Sequence, residues 1–143
     1  MKIIAHRGNT NGPSDQENHP IHLEKALLEG YDVEADVWVI ENKIFLGHNK
    51  PQYAVNFNNL FEIKNNLWIH CKNLAALNYF DKENFNFFWH ENDKFTLTSK
   101  GFIWTYPDEK LSEKSVIVDL NWKNSNIDVY GICTDYVRGR NDN

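Results

Sequence analysis

Eight short runs of β-branched and aromatic residues recur along the chain, and the spacing between them constrains the fold more than any other feature. They are Lys2–His6, Tyr31–Trp38, Leu67–Lys72, Asn86–Trp89, Phe95–Thr98, Phe102–Thr105, Ser115–Asp119 and Val129–Thr134. Their length and composition read as strands. Helical patterns separate the first three. Asn18 suits an N-cap, Pro20 a first turn, Leu23, Ala26 and Leu27 fall at helical spacing, and Gly30 stops the segment. A second helix runs through Leu74, Ala75, Leu77, Asn78 and Phe80. Lys43–Gly47 forms another extended piece after the Glu41-Asn42 turn. Strand-helix-strand alternation predicts a parallel sheet, and eight parallel strands close a (β/α)8 barrel. Length limits that expectation, because 143 residues give about 18 per strand against about 31 in a typical barrel of this kind. Phe102 begins only four positions after Thr98, too close for a helix between them. The expected fold is α/β, a compact (β/α)8 TIM-like barrel with several outer helices missing or shortened, in a single domain over residues 1–143.

Composition removes several classes of function. No stretch approaches the roughly 20 apolar residues of a membrane span, and MKIIAHRGN turns polar too early for a signal peptide. The expectation is a cytoplasmic protein with no stable membrane insertion. Cys71 and Cys133 lie in apolar runs without CxxC spacing and read as buried free thiols. A net charge of −5 leaves no basic stripe for a nucleic-acid backbone. The 14% aromatic content implies a dense small core or an aromatic-lined cleft.

Polar residues gather where the strands end. His6-Arg7-Gly8 follows the first strand, Glu34 and Asp36 lie in the second, His48 ends its continuation, His70 and Lys72 close the third, and Trp89-His90 follows the fourth. In a parallel barrel these ends share one face, where active sites occur. Glu34 and Asp36 are two apart and project together, opposite Val33, Ala35 and Val37; His70 and Lys72 share a face opposite Ile69 and Cys71. An ExD pair also fits the polar face of an edge strand. Buried on a β-branched strand, two carboxylates cost heavily unless a bound cation offsets them. His19 and His22 read as surface or first-turn residues.

The string Ile4-Ala5-His6-Arg7-Gly8, then Glu17-Asn18, then Glu34-Ala35-Asp36, then Leu46-Gly47-His48, closely resembles the start of glycerophosphodiester phosphodiesterases. Their HRG, PEN, ExD and HD motifs follow in that order at similar separations. Ile69-His70-Cys71-Lys72 resembles the family's third strand, and Gly131-Ile132-Cys133-Thr134-Asp135-Tyr136 its closing strand. Residues 74 to 128 match little. The resemblance implies a general acid and base pair at His6 and His48, with Arg7 and Lys72 on phosphate. It implies a divalent cation (Mg²⁺, Ca²⁺ or Mn²⁺) held by Glu34 and Asp36, with Glu17 supporting the same site. Such a set suits an anionic, inert diester: cation and arginine offset charge on the phosphoryl oxygens while two imidazoles move protons.

Three departures stand out. Asn49 replaces the family's usual Asp after His48. His70 replaces a glutamate metal ligand, which removes a negative charge, weakens Mg²⁺ or Ca²⁺, and relatively favours Mn²⁺ or Zn²⁺; alternatively Glu91 or Asp93 supplies the missing oxygen. The shortened second half carries much of the family's substrate pocket. Trp38, Trp89, Trp104 and Tyr106 are expected near strand ends, with Trp104 a candidate substrate contact. The expected activity is metal-assisted hydrolysis of a small glycerophosphodiester-like substrate. The alternative is a catalytically degenerate module of the same fold that binds phosphodiester and metal.

Overall fold

A computed structural model describes residues 1–123 and 125–140. Strand β1 (Lys2–His6) leads through helix α1 (Pro20–Leu28) to β2 (Asp32–Ile40). The hairpin β3 (Lys43–Leu46) and β4 (Tyr53–Val55), helix α2 (Phe57–Glu62) and a 3-10 turn (Lys64–Asn66) follow. Next come β5 (Leu67–Cys71), α3 (Leu74–Asp81), β6 (Asn86–Phe88), β7 (Phe95–Leu97), β8 (Ile103–Thr105), β9 (Ser115–Val118) and β10 (Gly131–Thr134). All ten strands belong to one curled sheet. Strands β6, β5, β2, β1, β10, β9 and β8 pair in that order and in parallel. Two elements break the pattern. β7 pairs antiparallel with β8, and the hairpin of β3 and β4 extends antiparallel from the outer half of β2.

The expected (β/α)8 barrel does not form: the fold is a curled, mixed sheet with three short α-helices among the described residues. Chain length between strands gives the reason. A parallel neighbour needs a crossover of about a dozen residues or more, usually a helix. The turn between β7 and β8 is far shorter, closed by Thr98 N–H donating to the Phe102 carbonyl at 2.8 Å, and it reverses the chain. Phe95–Thr98, expected as a parallel barrel strand, therefore runs the other way. Ser99 makes three of the bonds that join the ends of the curled sheet. Ser99 N–H donates to Phe87 O, its hydroxyl accepts from Phe87 N–H, and the same hydroxyl donates to Phe85 O, each at 2.9 Å.

Alternation along β2 sorts residues between two cores. Val33, Ala35 and Val37 point outward and pack with Leu23 and Ala26 of α1 and Ala76 and Phe80 of α3. On the inner side, Trp68, Phe88 and Trp104 fill the bottom of the curl with Ile4, Val116 and Val118. Trp104 lies 4.6 Å from Phe88 and 6.0 Å from Trp68, ring centre to ring centre. Truncating one of these rings to Ala costs about 3–5 kcal/mol. The aromatic plug makes the floor on which polar side chains stand.

Two local expectations shift. Asn18 does not cap α1; His19 does, its ring accepting from Ile21 N–H at 3.1 Å, because the Asn18 amide is engaged by Asp36. Asn56 and Asn73 cap α2 and α3 through Asn59 N–H and Ala76 N–H. Both cysteines are buried and unpaired as expected, and burial pushes the Cys71 thiol up to about 12. Among the described residues no helix is long and apolar enough to cross a membrane.

Candidate active site

Strand ends at one rim of the curl bring together the charged groups that the sequence scatters. His6 is the last residue of β1, and Arg7 beyond it takes a left-handed backbone (φ 54°), as does Gly8 (φ 84°). A non-glycine residue in that region stores strain, which concentrates at functional sites. Gly8 is required for a second reason: a Cβ there would stand 2.9 Å from His22 Cδ2 and 3.1 Å from the His22 backbone. The tight turn aims Arg7 across the rim. Glu34 and Asp36 rise from the inner side of β2, His70 from β5, and His48 follows the Gly47 turn.

Arg7 organises the centre. Its Nη1 donates to Glu17 Oε1 (3.0 Å), its Nη2 to His48 Nδ1 (2.7 Å), and its Nε lies 3.0 Å from Asp36 Oδ2. The guanidinium has no lone pair to offer, so His48 Nδ1 is an acceptor and the neutral ring carries its proton on Nε2. Asp36 is buried, and Asn18 Nδ2 donates to its Oδ2 at 2.9 Å. Burial alone would raise the Asp36 pKa; the charge of the His70 ring when protonated and the Arg7 charge instead hold it far below the usual carboxylate range. Glu34 behaves oppositely, because burial and then the Asp36 charge push its carboxyl above the ordinary value.

His6 belongs to a second network. Its Nδ1–H donates to Asp135 Oδ1 at 2.8 Å, while Nε2 faces Glu34 Oε2 at 3.7 Å. Burial opposes charge on this ring, but the Asp135 hydrogen bond and the Glu34 charge outweigh it and raise the His6 pKa. Asp135 shifts down. Burial works against it too, and hydrogen bonds from His6 and Asn9 prevail. Asn9, fully buried, donates from Nδ2 to Asp135 Oδ1 (2.9 Å) and Glu17 Oε2 (2.8 Å) and accepts from His22 Nε2–H at 2.9 Å.

His6, Arg7, Glu34, His48, His70 and Lys72 line a cleft of about 260 Å³. A neighbouring lobe of about 330 Å³ shares His48, His70 and Lys72 and adds Trp38, Asn49 and Trp89. Trp104, expected as a substrate contact, is only 4% exposed and forms the floor. Tyr106 lines the cleft and stacks on His90, centroids 4.8 Å apart. Glu17 does not join the carboxylates of β2; both its oxygens are taken by Arg7, Asn9 and Ser14, and against burial these bonds lower its pKa.

Among the described residues, Glu34, Asp36 and His70 form the group able to hold a metal ion, their ligand atoms all within 4.8 Å of one another. Glu91 and Asp93, the alternative oxygen donors, stay outside it and are exposed. The trio fits a divalent cation on physical grounds: Glu34 Oε2 and Asp36 Oδ1 are buried without hydrogen-bond partners. Two site residues escaped the sequence reading. Asp135 directly follows β10, so the strand-end rule that found His6 and His70 applies to it equally; Asn9 carried no signal beyond its turn. No family model matches the chain, and no curated protein or solved structure matches it.

Proposed function

We propose that the protein is a metal-assisted phosphodiester hydrolase acting on small glycerophosphodiester-like substrates, the activity of the enzymes its HRG, ExD and H motifs resemble. One observation carries the reading: His6, Arg7, Glu34, His48, His70 and Lys72, from four segments of chain, line one cleft above an aromatic floor. Arg7 and Lys72 meet the phosphoryl oxygens. A divalent cation held by Glu34, Asp36 and His70 would offset charge on those oxygens when bound.

Proton transfer falls to the two histidines. With Nδ1–H committed to Asp135, His6 takes the proton of the attacking substrate hydroxyl at Nε2, and the Asp135 carboxylate stabilises the imidazolium that forms. The hydroxyl oxygen bonds to phosphorus as the bond to the leaving alcohol breaks. His48 acts in its imidazolium form, with Nδ1 protonated once Arg7 turns from it to the phosphate, and gives its Nε2 proton to the leaving oxygen, which returns the ring to neutral. Hydrolysis of the cyclic phosphate reverses these roles, with His48 drawing a proton from water and His6 returning one to the ring oxygen. A deacylated diester fits better than an intact lipid, since no amphipathic basic helix for membrane docking occurs among the described residues. Two buried free thiols fit a cytoplasmic setting.

Asn49 beside His48, and an Arg7 guanidinium tied to Glu17, Asp36 and His48, favour a second reading, a module that binds phosphodiesters without cleaving them. One experiment separates the two. Purified protein incubated with a glycerophosphodiester and Mg²⁺, Mn²⁺ or Ca²⁺ is followed by phosphorus NMR, with His6→Ala in parallel. Turnover lost in the variant supports the hydrolase. Calorimetric binding without turnover supports the module, and turnover surviving in the variant overturns the role of His6.

A further inference from the structure

We infer that His70 is a preorganised nitrogen ligand, and that it makes the Glu34–Asp36–His70 site select Mn²⁺, Co²⁺ or Zn²⁺ over Mg²⁺ and Ca²⁺. The inference rests on the reading of this trio as a cation site.

Hydrogen bonding fixes which nitrogen of His70 faces the carboxylates with a lone pair. His70 Nε2 lies 3.0 Å from the His90 carbonyl oxygen, which only accepts, so the proton sits on Nε2. Nδ1 of the neutral ring is then an acceptor. It stands 3.1 Å from Asp36 Oδ1, another acceptor, and Asp36 Oδ1 has no hydrogen-bond donor. Glu34 Oε2, in a residue only 2% exposed, is equally without one. With that ring neutral, three electron pairs converge with nothing between them; a proton on Nδ1 would answer only Asp36, whereas a cation answers all three.

The surroundings hold the imidazole in this pose. Its ring stacks on Phe88, centroids 5.2 Å apart and planes 12° from parallel, and β5 carries it in register with that residue on β6. The carbonyl that sets the tautomer is itself anchored. The His90 ring contacts Thr96 Oγ1 at 3.0 Å and stacks on Tyr106. A ligating histidine whose other nitrogen donates to a backbone carbonyl is the usual outer-shell device for fixing ring orientation, and losing such support weakens metal affinity by about 10–100-fold.

Ligand chemistry gives the selectivity. Mg²⁺ and Ca²⁺ are hard cations that take oxygen, and one imidazole among two carboxylates costs them a preferred ligand. First-row transition ions accept mixed nitrogen and oxygen donors.

The test begins with metal-free protein titrated with Mn²⁺ by electron paramagnetic resonance, with Mg²⁺ and Ca²⁺ as competitors, and with pulsed measurements reading nitrogen-14 coupling to bound Mn²⁺. Mn²⁺ should bind at least about tenfold tighter than Mg²⁺ or Ca²⁺ and show imidazole coupling. His70→Glu should abolish the coupling and reduce the preference. If that variant does not fold, His70→Gln carries the same test. Bound Mn²⁺ without nitrogen coupling, or an unchanged preference in the variant, overturns the inference while leaving the cation site standing. Binding of no cation overturns both.

Discussion

Asp135→Asn isolates the charge that supports His6, because the amide oxygen of the variant still accepts from His6 Nδ1–H and from Asn9 Nδ2. The bond is 2.8 Å long between side chains 14% and 7% exposed, so water screens it only partly. A hydrogen bond to a charged group contributes about 1.5–3 kcal/mol against about 0.5–1.5 for a neutral one, so the exchange costs about 1 kcal/mol. By linkage this lowers the His6 pKa by nearly one unit. His6 has a raised pKa, so its contribution to stability is present below the unfolded value near 6.5 and lost as pH rises through the folded one. Asp135 has a lowered pKa, so its contribution is present above the unfolded value near 3.8 and lost as pH falls through the folded one. The cost of the variant should therefore be greatest between these two values. There it should lower Tm by about 4 °C and shrink toward pH 9 and pH 3. Ring-proton NMR titration gives the His6 midpoint and scanning calorimetry gives Tm. A His6 midpoint that stays put, or a Tm loss constant across pH, refutes the reasoning.

Other perturbations probe the remaining parts of the site. Glu34→Gln should stabilise metal-free protein by about 1 kcal/mol at pH 7, since burial and Asp36 raise the Glu34 pKa and ionising it costs stability as pH rises. The gain should vanish in melts at pH 4, and the variant should bind Mn²⁺ poorly. Gly47→Ala places a Cβ 2.0 Å from the Lys50 carbonyl, so it should lower stability by about 2 kcal/mol or more and displace His48, read by Tm and the His48 ring resonances. Ser99→Ala removes two hydrogen bonds at the meeting of the sheet ends and should cost about 2 kcal/mol, with faster amide exchange at Phe87. Unchanged exchange there would refute that role.

The legible parts of the fold were those where one residue's environment is set by its own strand. Alternation along β2 separated Val33, Ala35 and Val37 from Glu34 and Asp36, and burial follows that division. Strand direction is a property of pairs, however, and nothing within Phe95–Thr98 distinguishes a parallel strand from an antiparallel one. The short turn to Phe102 carries that information: a gap too short for a helix is also too short for a parallel crossover, so it reverses the strand. Tyr53–Val55 and α2 were missed because three extended residues and one short helix show no period of their own. Asn18 misled for a related reason: its side chain fits a cap locally, but the buried Asp36 backbone and carboxylate claim it. At the site, Asp135 meets His6 across 129 positions of chain.

A strand ladder spreads resistance to opening over many bonds, whereas the ends of this sheet are fastened by few, three of them around Ser99. β6 brings Phe88 beneath His70, and the turn after β7 is the one Ser99 belongs to. Thr96 of β7 steadies His90, whose carbonyl orients His70. The wall behind His70 is thus fastened at a few side-chain points, Ser99, the Thr96–His90 contact and Phe88 against Trp104, rather than by a strand ladder. Opening there would part β6 from β7 and free the His70 ring from the contacts that orient it, while Glu34 and Asp36 stay on β2 between two parallel partners.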